Sequence, residues 1–476
     1  MSVFSEYLTE LRDHRGIPLA DLAEMVDLDK TVLYHWFQGN HLPESWERIL
    51  PVLNGMCLTV SEQERVQQEY IRASLGEKKA RCFQKITEIM DILHRKSVQR
   101  QNPVEGDSYV LREMRMPQKD FVELGTPMDV LTGLQTQLHR LTRKPNVQLQ
   151  LHVKRIPEML GDMIERYPLT GENSGMDIVV EWGDGTPDTE VELLETLKEL
   201  LSILMQGKQV WLHSAYGHLY VEESYLIADD VCMVFAPDLS HGMMIWDPEL
   251  IAFYRSRFEK TLQHCDSIEE HMYHMEKIPE DFDYSVGKQV MVVEYMPCVS
   301  VGMNRQILEE DVYPFLPYRE EIINSILKQY PDNIRLNKFS LLSIGMLEGL
   351  EYFLQTGMVE GYTLYGAATP KNRIRILENT IQMMREEATL DIRLIRPSFH
   401  NLEGVHMELH TGDAPKLLIE IHRDGCQPNQ FYVKNRRIQK CFAEYFDFVK
   451  SQGFLYSREK SIEMIEQLLE NYRATQ

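Results

Sequence analysis

The chain has 476 residues, too many for one ordinary hydrophobic core, so roughly two to four domains are predicted. Apolar residues at 43% and charged residues at 26% are typical of a soluble globular protein. No apolar run approaches the roughly 18–20 residues that span a bilayer, and the charged N-terminus differs from a signal peptide. We therefore expect a cytoplasmic protein with no membrane partner.

The acidic charge is distributed unevenly along the chain. The net charge is −23, yet residues 1–100 hold 13 Lys and Arg against 15 Asp and Glu, whereas the remaining 376 residues hold 37 against 58. An acidic body repels phosphate, so nucleic-acid binding by the N-terminal part would depend on well-placed local contacts. The seven cysteines are scattered and form no CxxC pair, which indicates reduced thiols rather than a disulfide framework.

The first 75 residues predict a small all-α domain. Three-and-four apolar spacing predicts a helix over Met1–Gly16, and Pro18 suits the first turn of a second helix. Asp29 is placed to cap a third helix that runs from about Lys30 to Gln38 and ends at Gly39. We expect this third helix to bury Val32, Leu33 and Trp36. Two more helices are predicted near Glu44–Leu53 and Ser61–Ser74, the latter opened by a capping box of Ser61 and Glu64.

The stretch Leu19–Pro43 resembles the Xre-type helix-turn-helix domain of lambda-like phage repressors and bacterial regulators. The matching residues, in order and without gaps, are Leu22, Ala23, Glu24, Leu28, Leu33, Trp36, Gly39 and Pro43. The resemblance implies that the third helix enters the major groove of double-stranded DNA. It implies base reading by Lys30, Thr31 and His35, base or phosphate contact by Tyr34, and phosphate contact by Gln38 and Asn40.

Three residues depart from the family pattern. Asp27 stands where the family usually has Gly, Phe37 where Glu is common, and Leu19 where a Gln often meets phosphate. Asp tolerates the left-handed turn better than most residues do, so the departures weaken the phosphate contacts rather than the fold. The alternative is that these helices form a protein-interaction module whose outward polar residues are only solvated.

A connecting helix is predicted over Lys78–Gln99, followed by a polar linker at Gln101–Asp107. The helix carries an apolar stripe, which could pair with a second copy to form a homodimer or pack on the protein's own body. These features divide the chain into residues 1–76 (helix-turn-helix domain) and 77–106 (connector).

The rest of the chain predicts an α/β or α+β regulatory region of two divergent copies of one unit, 107–280 and 281–476. Strands are predicted at Val147–Val153, Met176–Trp182, Gln209–His213, Gly217–Ala228, Val231–Ala236, Leu390–Leu394, Val405–His410 and Lys416–His422, and helices at Thr189–Leu204, Asp247–Leu262, Lys371–Glu386 and Asn435–Gly453. The copies are aligned by a spacing of 188 residues, which matches Leu250 with Ile438, Tyr254 with Phe442 and Phe258 with Phe446. Leu250, Phe253, Tyr254 and Phe258 are predicted to share one helix face. Coincidence between two generic strand–helix successions is the alternative.

The succession Leu219–Phe258 resembles the C-terminal part of a phospholipase-D-type half. The catalytic HxKxxxxD motif of that family is missing, because Tyr220 follows His218 and Glu408 follows His406 where the family has Lys. The resemblance therefore implies a degenerate unit that binds a ligand or dimerises.

Histidines elsewhere form no recognisable catalytic set. His213, His218 and His241 lie in the first unit, and His271 and His274 could form half of a metal site, but no spacing completes four ligands. Phosphate-loop, GxSxG, HExxH and GxGxxG contexts are missing. We therefore predict no catalytic residue, no metal, no cofactor and no enzyme activity.

The predicted function is that of a sequence-specific DNA-binding transcriptional regulator, active as a homodimer and controlled by a C-terminal region that senses a small-molecule or peptide effector. One alternative is an enzyme or nucleic-acid-processing protein that uses the helix-turn-helix domain for recruitment. Another is an interaction scaffold without a ligand.

Overall fold

The fold is that of a computed structural model, in which a small helical module is followed by two mixed sheets with their helices. The structure describes residues 2–98, 120–142, 144, 146–166, 174–182, 188–205, 209–215, 223–267, 269–270, 288–316, 319–329, 331–359, 366–396, 399–412, 415–421 and 429–475. The predicted linker at Gln101–Asp107 lies outside the described residues. No described helix is both long enough and apolar enough to cross a membrane.

The N-terminal module (residues 2–75) contains the predicted helices. They are α1 (Val3–His14), α2 (Leu19–Met25), α3 (Lys30–Phe37), α4 (Trp46–Gly55) and α5 (Val60–Leu75). The turn between α2 and α3 needs the left-handed backbone that Asp27 adopts, with φ of 53°. The predicted capping box of α5 is wrong by two residues, because Thr59 caps the helix and Glu62 bonds back to the Thr59 backbone.

Helix α3 buries a different set of side chains from the predicted one. Leu33 and Trp36 are buried, as expected, but Val32 is 38% exposed and Phe37 is 1% exposed. The Thr9 hydroxyl of α1 donates to the Phe37 carbonyl at 3.1 Å, and the Arg12 guanidinium lies 4.9 Å from the Phe37 ring centroid. Phe37 is thus the side chain that fixes the end of α3 to α1.

Helix α6 (Glu77–Val98) is the predicted connector. Its apolar stripe is fully used within the chain: Phe83, Ile86, Ile89, Met90 and Leu93 are at most 3% exposed. Of the two alternatives for this stripe, the structure shows packing on the protein's own body, so any homodimer requires another surface.

The first sheet lies in residues 121–267. Its elements, with the short strand that leads into the second sheet, are β1 (Phe121–Leu124), α7 (Pro127–Thr142), β2 (Gln148–Val153), α8 (Glu158–Arg166), β3 (Gly175–Glu181), α9 (Glu190–Leu204), β4 (Gln209–Ala215), β5 (Ser224–Ile227), β6 (Cys232–Phe235), β7 (Gly242–Ile245), α10 (Pro248–Leu262), β8 (Asp266–Ser267) and β9 (Glu269–Glu270). The strand order is β1-β7-β6-β5-β2-β3-β4-β8. Strands β2, β3 and β4 are parallel, whereas β5, β6 and β7 form an antiparallel meander.

The second sheet lies in residues 269–433 and carries more helices. The elements from Lys288 onward are β10 (Lys288–Glu294), a 3-10 turn (Val299–Gly302), α11 (Arg305–Asp311), α12 (Arg319–Gln329), α13 (Pro331–Arg335), β11 (Phe339–Gly345), α14 (Leu347–Thr356), α15 (Pro370–Glu386), β12 (Leu390–Leu394), β13 (His406–His410), β14 (Lys416–Ile421), β15 (Asn429–Val433), α16 (Arg436–Ser451) and α17 (Arg458–Thr475). The strand order is β12-β11-β10-β13-β14-β15-β9.

The two sheets share one connectivity. In each, three parallel strands joined by crossover helices are followed by a three-stranded antiparallel meander that ends in a helix. Strands β2 to β7 thus correspond to β10 to β15, and α10 corresponds to α16. The N-caps of the two helices, Asp247 and Asn435, also stand 188 residues apart. This connectivity favours the duplicated-unit alternative over coincidence.

The main core lies between the sheets. Helices α6, α9 and α16 occupy this central layer, and their apolar side chains belong to one buried cluster together with one face of each sheet and the N-terminal module. The outer face of the second sheet is covered by α11–α15 and α17, and the outer face of the first sheet by α10.

The predicted inward face of α10 is partly wrong. Phe258 is buried, and Ile251 packs beside it, but Leu250 is 44% exposed and Phe253 is 59% exposed. The helix contacts the sheet through a narrow apolar stripe that includes Ile251 and Phe258, and Leu250 and Phe253 point away from the sheet.

Candidate nucleic-acid interface and ligand sites

Helix α3 presents the residues that were singled out for DNA contact on one open surface. Lys30, Thr31, Tyr34 and Gln38 are exposed, whereas Leu33 and Trp36 hold the opposite side of the helix in the core. The Asp29 carboxylate accepts the Thr31 N–H at 2.6 Å, and this bond holds the pKa of Asp29 below its ordinary value. The start of α3 is thus fixed by its cap, and Lys30 and Thr31 lie on its exposed side.

His35 and Asn40 lie at the other end of the same surface. The Asn40 amide lies 3.2 Å from His35 Nδ1, and the His35 ring packs edge-on against Tyr34 and His41, with centroids 5.9 and 5.5 Å apart. His35 is half-buried and Asn40 is exposed. These contacts orient the His35 ring.

The N-terminal module is fastened to the end of α16. The backbone N–H of Trp46 donates to the Gln452 carbonyl at 2.7 Å, the Tyr70 hydroxyl donates to Gln452 Oε1 at 2.7 Å, and the Trp46 ring stacks on Phe454 with centroids 5.6 Å apart. Gly453 has φ of +76°, and a Cβ there would lie 2.9 Å from the Glu47 Cβ. The chain passes so close to α4 that this junction requires glycine.

Helix α6 forms a second connection between the module and the body. Lys78 forms an ion pair with Glu190 at 2.8 Å and Lys79 with Glu444 at 2.9 Å. The Phe83 ring packs edge-on against Tyr445 at 5.1 Å. The module therefore touches α9 and α16 through α6, and the end of α16 through α4.

The outer face of the second sheet carries a histidine–glutamate cluster that sequence reasoning missed. We use this name for Glu294, His406, Glu408, His410 and Glu420. His406 Nδ1 lies 3.6 Å from Glu294 Oε2, and His406 Nε2 lies 3.5 Å from Glu408 Oε1. His410 Nε2 lies 3.1 Å from Glu408 Oε2. The cluster lies beside the carboxyl end of β10, the edge at which α/β sheets commonly bind ligands.

The electrostatics of the cluster favour a charged His406. Burial lowers the pKa of His406, but the charges of Glu420 and Glu294 and the hydrogen bond with Glu408 outweigh burial and raise it to about 10. Burial raises the pKa of Glu408, yet hydrogen bonds from His406 and His410 hold it well below its ordinary value. At neutral pH the site therefore contains an imidazolium at His406 and a carboxylate at Glu408, which can donate and accept protons over short distances.

A period-two pattern was the signal for this cluster. His406, Glu408 and His410 alternate with Met407 and Leu409, so they share one face of a single strand. This pattern alone does not predict the cluster, because the carboxylates of Glu294 and Glu420 come from two other strands.

The histidines of the first unit are separate from this cluster. His152 is buried, with Nδ1 3.0 Å from the Tyr225 hydroxyl and Nε2 3.3 Å from Glu181. His213 lies 3.3 Å from Asp177, and His241 is exposed beside Ser240. His218, His271 and His274 lie outside the described residues. In the described part of the chain, no group of three or more His, Cys, Asp or Glu side chains is arranged to hold a metal ion.

A small apolar cavity of about 30 Å³ lies among the helices over the second sheet. Its lining includes Met303, Ile307, Leu308, Val312, Ile326 and Ile376, together with Asp311. Asp311 Oδ1 accepts hydrogen bonds from the Thr369 N–H and the Asn372 amide. Asp311 Oδ2 is buried and has no hydrogen-bond partner among the described residues. A buried carboxylate oxygen without a donor costs free energy, which a ligand or water donor would recover.

Comparison with known proteins gives a distant likeness of structure only. No family model matches the sequence, and no curated protein matches it. The similar solved structures include TrmBL2, an archaeal chromatin protein whose structure shows a novel mode of DNA binding, at 12% identity and a TM-score of 0.23, covering 53% of this chain and 88% of that one.

Two further structures are enzymes. Phosphatidylserine synthase of Haemophilus influenzae is 10% identical with a TM-score of 0.24, covering 76% of this chain and 94% of that one. Polyphosphate kinase of Porphyromonas gingivalis is 9% identical with a TM-score of 0.22, covering 68% of this chain and 49% of that one. Likenesses at this level identify neither a family nor an activity.

The prediction that the chain is not an enzyme is corrected. It depended on missing linear motifs, but the similar structures include two enzymes. The second sheet also brings together histidine and carboxylate groups from three strands, β10, β13 and β14. The chain is thus a multidomain protein with a helical N-terminal module and two mixed sheets of like connectivity.

Proposed function

We propose that the chain is a sequence-specific DNA-binding regulator whose N-terminal module contacts the major groove through α3. The observation that carries the proposal is the exposure of Lys30, Thr31 and Tyr34 on a capped helix whose other side is buried. A helix held in this way can insert its N-terminal side chains into a groove without losing its packing. The Xre-type resemblance is part of this proposal, and so is the double-stranded DNA partner.

Charge supports placing DNA at this end of the chain. The first 100 residues are nearly neutral, whereas the body is strongly acidic and repels phosphate. Because Leu19 is apolar where the family often has a Gln that meets phosphate, the module has fewer phosphate contacts than the resemblance implies, and one copy alone should bind weakly. We therefore include a homodimer, and a cytoplasmic location, in the proposal.

The test is footprinting on the DNA that flanks the protein's own gene, followed by titration of the bound site at one stated salt concentration. The double variant Lys30→Ala, His35→Ala should lose about 2–4 kcal/mol of binding free energy and most sequence preference. Lys440→Ala removes the same type of charge from a side chain on α16 that is 77% exposed, and serves as the matched control. Full affinity and preference in the double variant would contradict base reading by α3.

The body would control the module through the two junctions at α4 and α6. We place the effector in the cavity at Asp311, where a small apolar molecule with a hydrogen-bond donor or a cationic amine would satisfy Oδ2. Short alkylamines should stabilise the full chain against heating, by mass action, more than the matching alcohols do. Asp311→Asn should abolish this difference, and an equal response in the variant would remove the site from the proposal.

A second candidate function is supported by the histidine–glutamate cluster. A protonated His406 between Glu294 and Glu408 could act as a general acid, so the body could be an enzyme that the module recruits to DNA. Cleavage of plasmid DNA and of chromogenic phosphate esters by the wild type, lost in His406→Ala but retained in the exposed control His241→Ala, would favour this candidate. Turnover that is equal in both variants would exclude His406 as its source.

A further inference from the structure

The pairing registers show which face of the first sheet corresponds to which face of the second sheet. Following the paired residues from strand to strand matches His152 of β2 with Val293 of β10 and Ile245 of β7 with Val433 of β15. The whole outer set of the first sheet, Val179, Tyr225, Ile227, Cys232, Val234 and Ile245, then matches Ile344, Met407, Leu409, Leu417, Ile419 and Val433. The first set belongs to the outer cluster under α10, and the second to the central core. An outer surface in one unit is thus an interior surface in the other.

Helix α16, which corresponds to α10, is covered by other helices on the side that faces away from its sheet. Its side chains meet α6 and α9 on the side away from the second sheet, as in the contacts Arg437–Glu190, Glu444–Lys79 and Tyr445–Phe83. Ile438 and Cys441 are 1% and 9% exposed.

Helix α10 presents the same positions to solvent. Leu250 matches Ile438 and Phe253 matches Cys441, yet Leu250 is 44% exposed and Phe253 is 59% exposed. Glu249, Ser256 and Lys260, which match the α16 positions that meet α6 and α9, are exposed as well. We name these five residues, Glu249, Leu250, Phe253, Ser256 and Lys260, the α10 face.

We propose that the α10 face is a self-association surface on which a second copy of this chain docks, α10 against the partner's α10. Within the chain, α16 packs on α9. The α10 face of a second copy cannot pack on α9 in the same way, because α9 is already covered by α16 and α6. A head-to-tail arrangement of that kind would in addition build a ring or an open filament rather than a dimer. A two-fold contact of the α10 face with itself closes after two copies.

The charge pattern of α10 is complementary to itself in the antiparallel direction. Glu249 lies in its first turn and Lys260 in its last turn. A two-fold axis passing between Tyr254 and Arg255 brings Glu249 opposite the partner's Lys260. The same axis brings Phe253 opposite the partner's Ser256, a large side chain against a small one. The proposal does not depend on DNA binding, although it supplies the second copy that an operator with two half-sites requires.

The experiment is sedimentation equilibrium of the full chain over a wide concentration range. The wild type should form a dimer, and Phe253→Asp should raise its dissociation constant at least about tenfold, since it places a charge at the centre of the contact. Phe315→Asp is the matched control, because Phe315 is 76% exposed and lies in the second unit. Equal thermal unfolding of both variants shows that each is folded.

A charge exchange tests the antiparallel direction. Glu249→Lys should weaken the dimer, and adding Lys260→Glu should restore it. A monomeric wild type, a Phe253→Asp dimer as tight as the wild type, or species that grow beyond two copies would each overturn the proposal. Binding to a half-site duplex, measured in parallel, separates this failure from failure of α3, since Phe253→Asp should leave half-site affinity unchanged.

Discussion

The two α/β units share a connectivity but differ in where they place polar side chains. The sheet position that Leu226 fills in the first unit is occupied by Glu408 in the second, according to the pairing registers. The first unit instead buries His152 and Tyr225 on its opposite face. One backbone arrangement therefore supports an apolar layer in one unit and a charged cluster in the other, which shows that chemistry follows the side chains rather than the fold.

The largest expected contrast concerns the last helix of each unit. Phe442→Ala removes a ring that is fully buried in the central core and should cost about 3–5 kcal/mol of unfolding free energy. Tyr254→Ala, at the matching position of α10, should cost about 1–2 kcal/mol because its ring is only half-buried. Urea denaturation of both variants measures the difference. Equal losses would mean that α10 is as deeply packed in solution as α16.

The next contrast concerns the charged cluster. Glu408→Gln leaves His406 with one fewer buried countercharge and should cost about 3 kcal/mol. Since the pKa of Glu408 is depressed, the carboxylate contributes to folded-state stability above pH 4.5, its ordinary pKa, and this contribution is lost as the pH falls. Since the pKa of His406 is raised, the imidazolium contributes fully to stability below pH 6.5, and this contribution is lost as the pH rises through about 10.

Thermal unfolding between acidic and alkaline pH tests this prediction. The wild type should lose stability in both directions, and Glu408→Gln should show smaller losses at both ends. Leu226→Gln, at the matching apolar position of the first unit, is the control, and it should destabilise the protein without changing the pH profile. A variant profile parallel to that of the wild type would contradict the assigned charges.

A smaller effect is expected at the junction between the N-terminal module and the second unit. Gly453→Ala forces a side chain into a left-handed backbone position and against Glu47, and should cost about 1–3 kcal/mol. Hydrogen exchange should become faster in α4 and in the last turn of α16. Gly76→Ala also replaces a positive-φ glycine but meets no neighbouring atom within 4 Å, so it separates backbone strain from loss of docking.

The smallest effect is expected on the exposed side of α10. Leu250→Ala should change the unfolding free energy of the separated monomer by no more than about 0.5 kcal/mol. Ile438→Ala, at the matching buried position, should cost about 2–4 kcal/mol. Both are measured by urea denaturation at low protein concentration. A large loss for Leu250→Ala in the monomer would show that a part of the chain other than a second copy covers this side chain.

Most elements with strong periodicity were predictable. The helices of the N-terminal module, the caps Asp29 and Asp247, and the first two strands of each meander follow from local spacing and capping chemistry. The exposed polar residues of α3 were predictable for the same reason. Elements such as α11–α14 and α17 were not, because their patterns are short or ambiguous and the tertiary packing decides them.

The sequence by itself determined the order of the strongly periodic elements and the polar surface of α3, because these depend on contacts within a few residues along the chain. The tertiary structure decided that the stripe of α6 is interior, that Val32 and Phe253 face outward, and that Glu294 and Glu420 join His406. Each of these depends on partners more than 10 residues away, and a linear pattern does not specify which buried surface will cover which side chain.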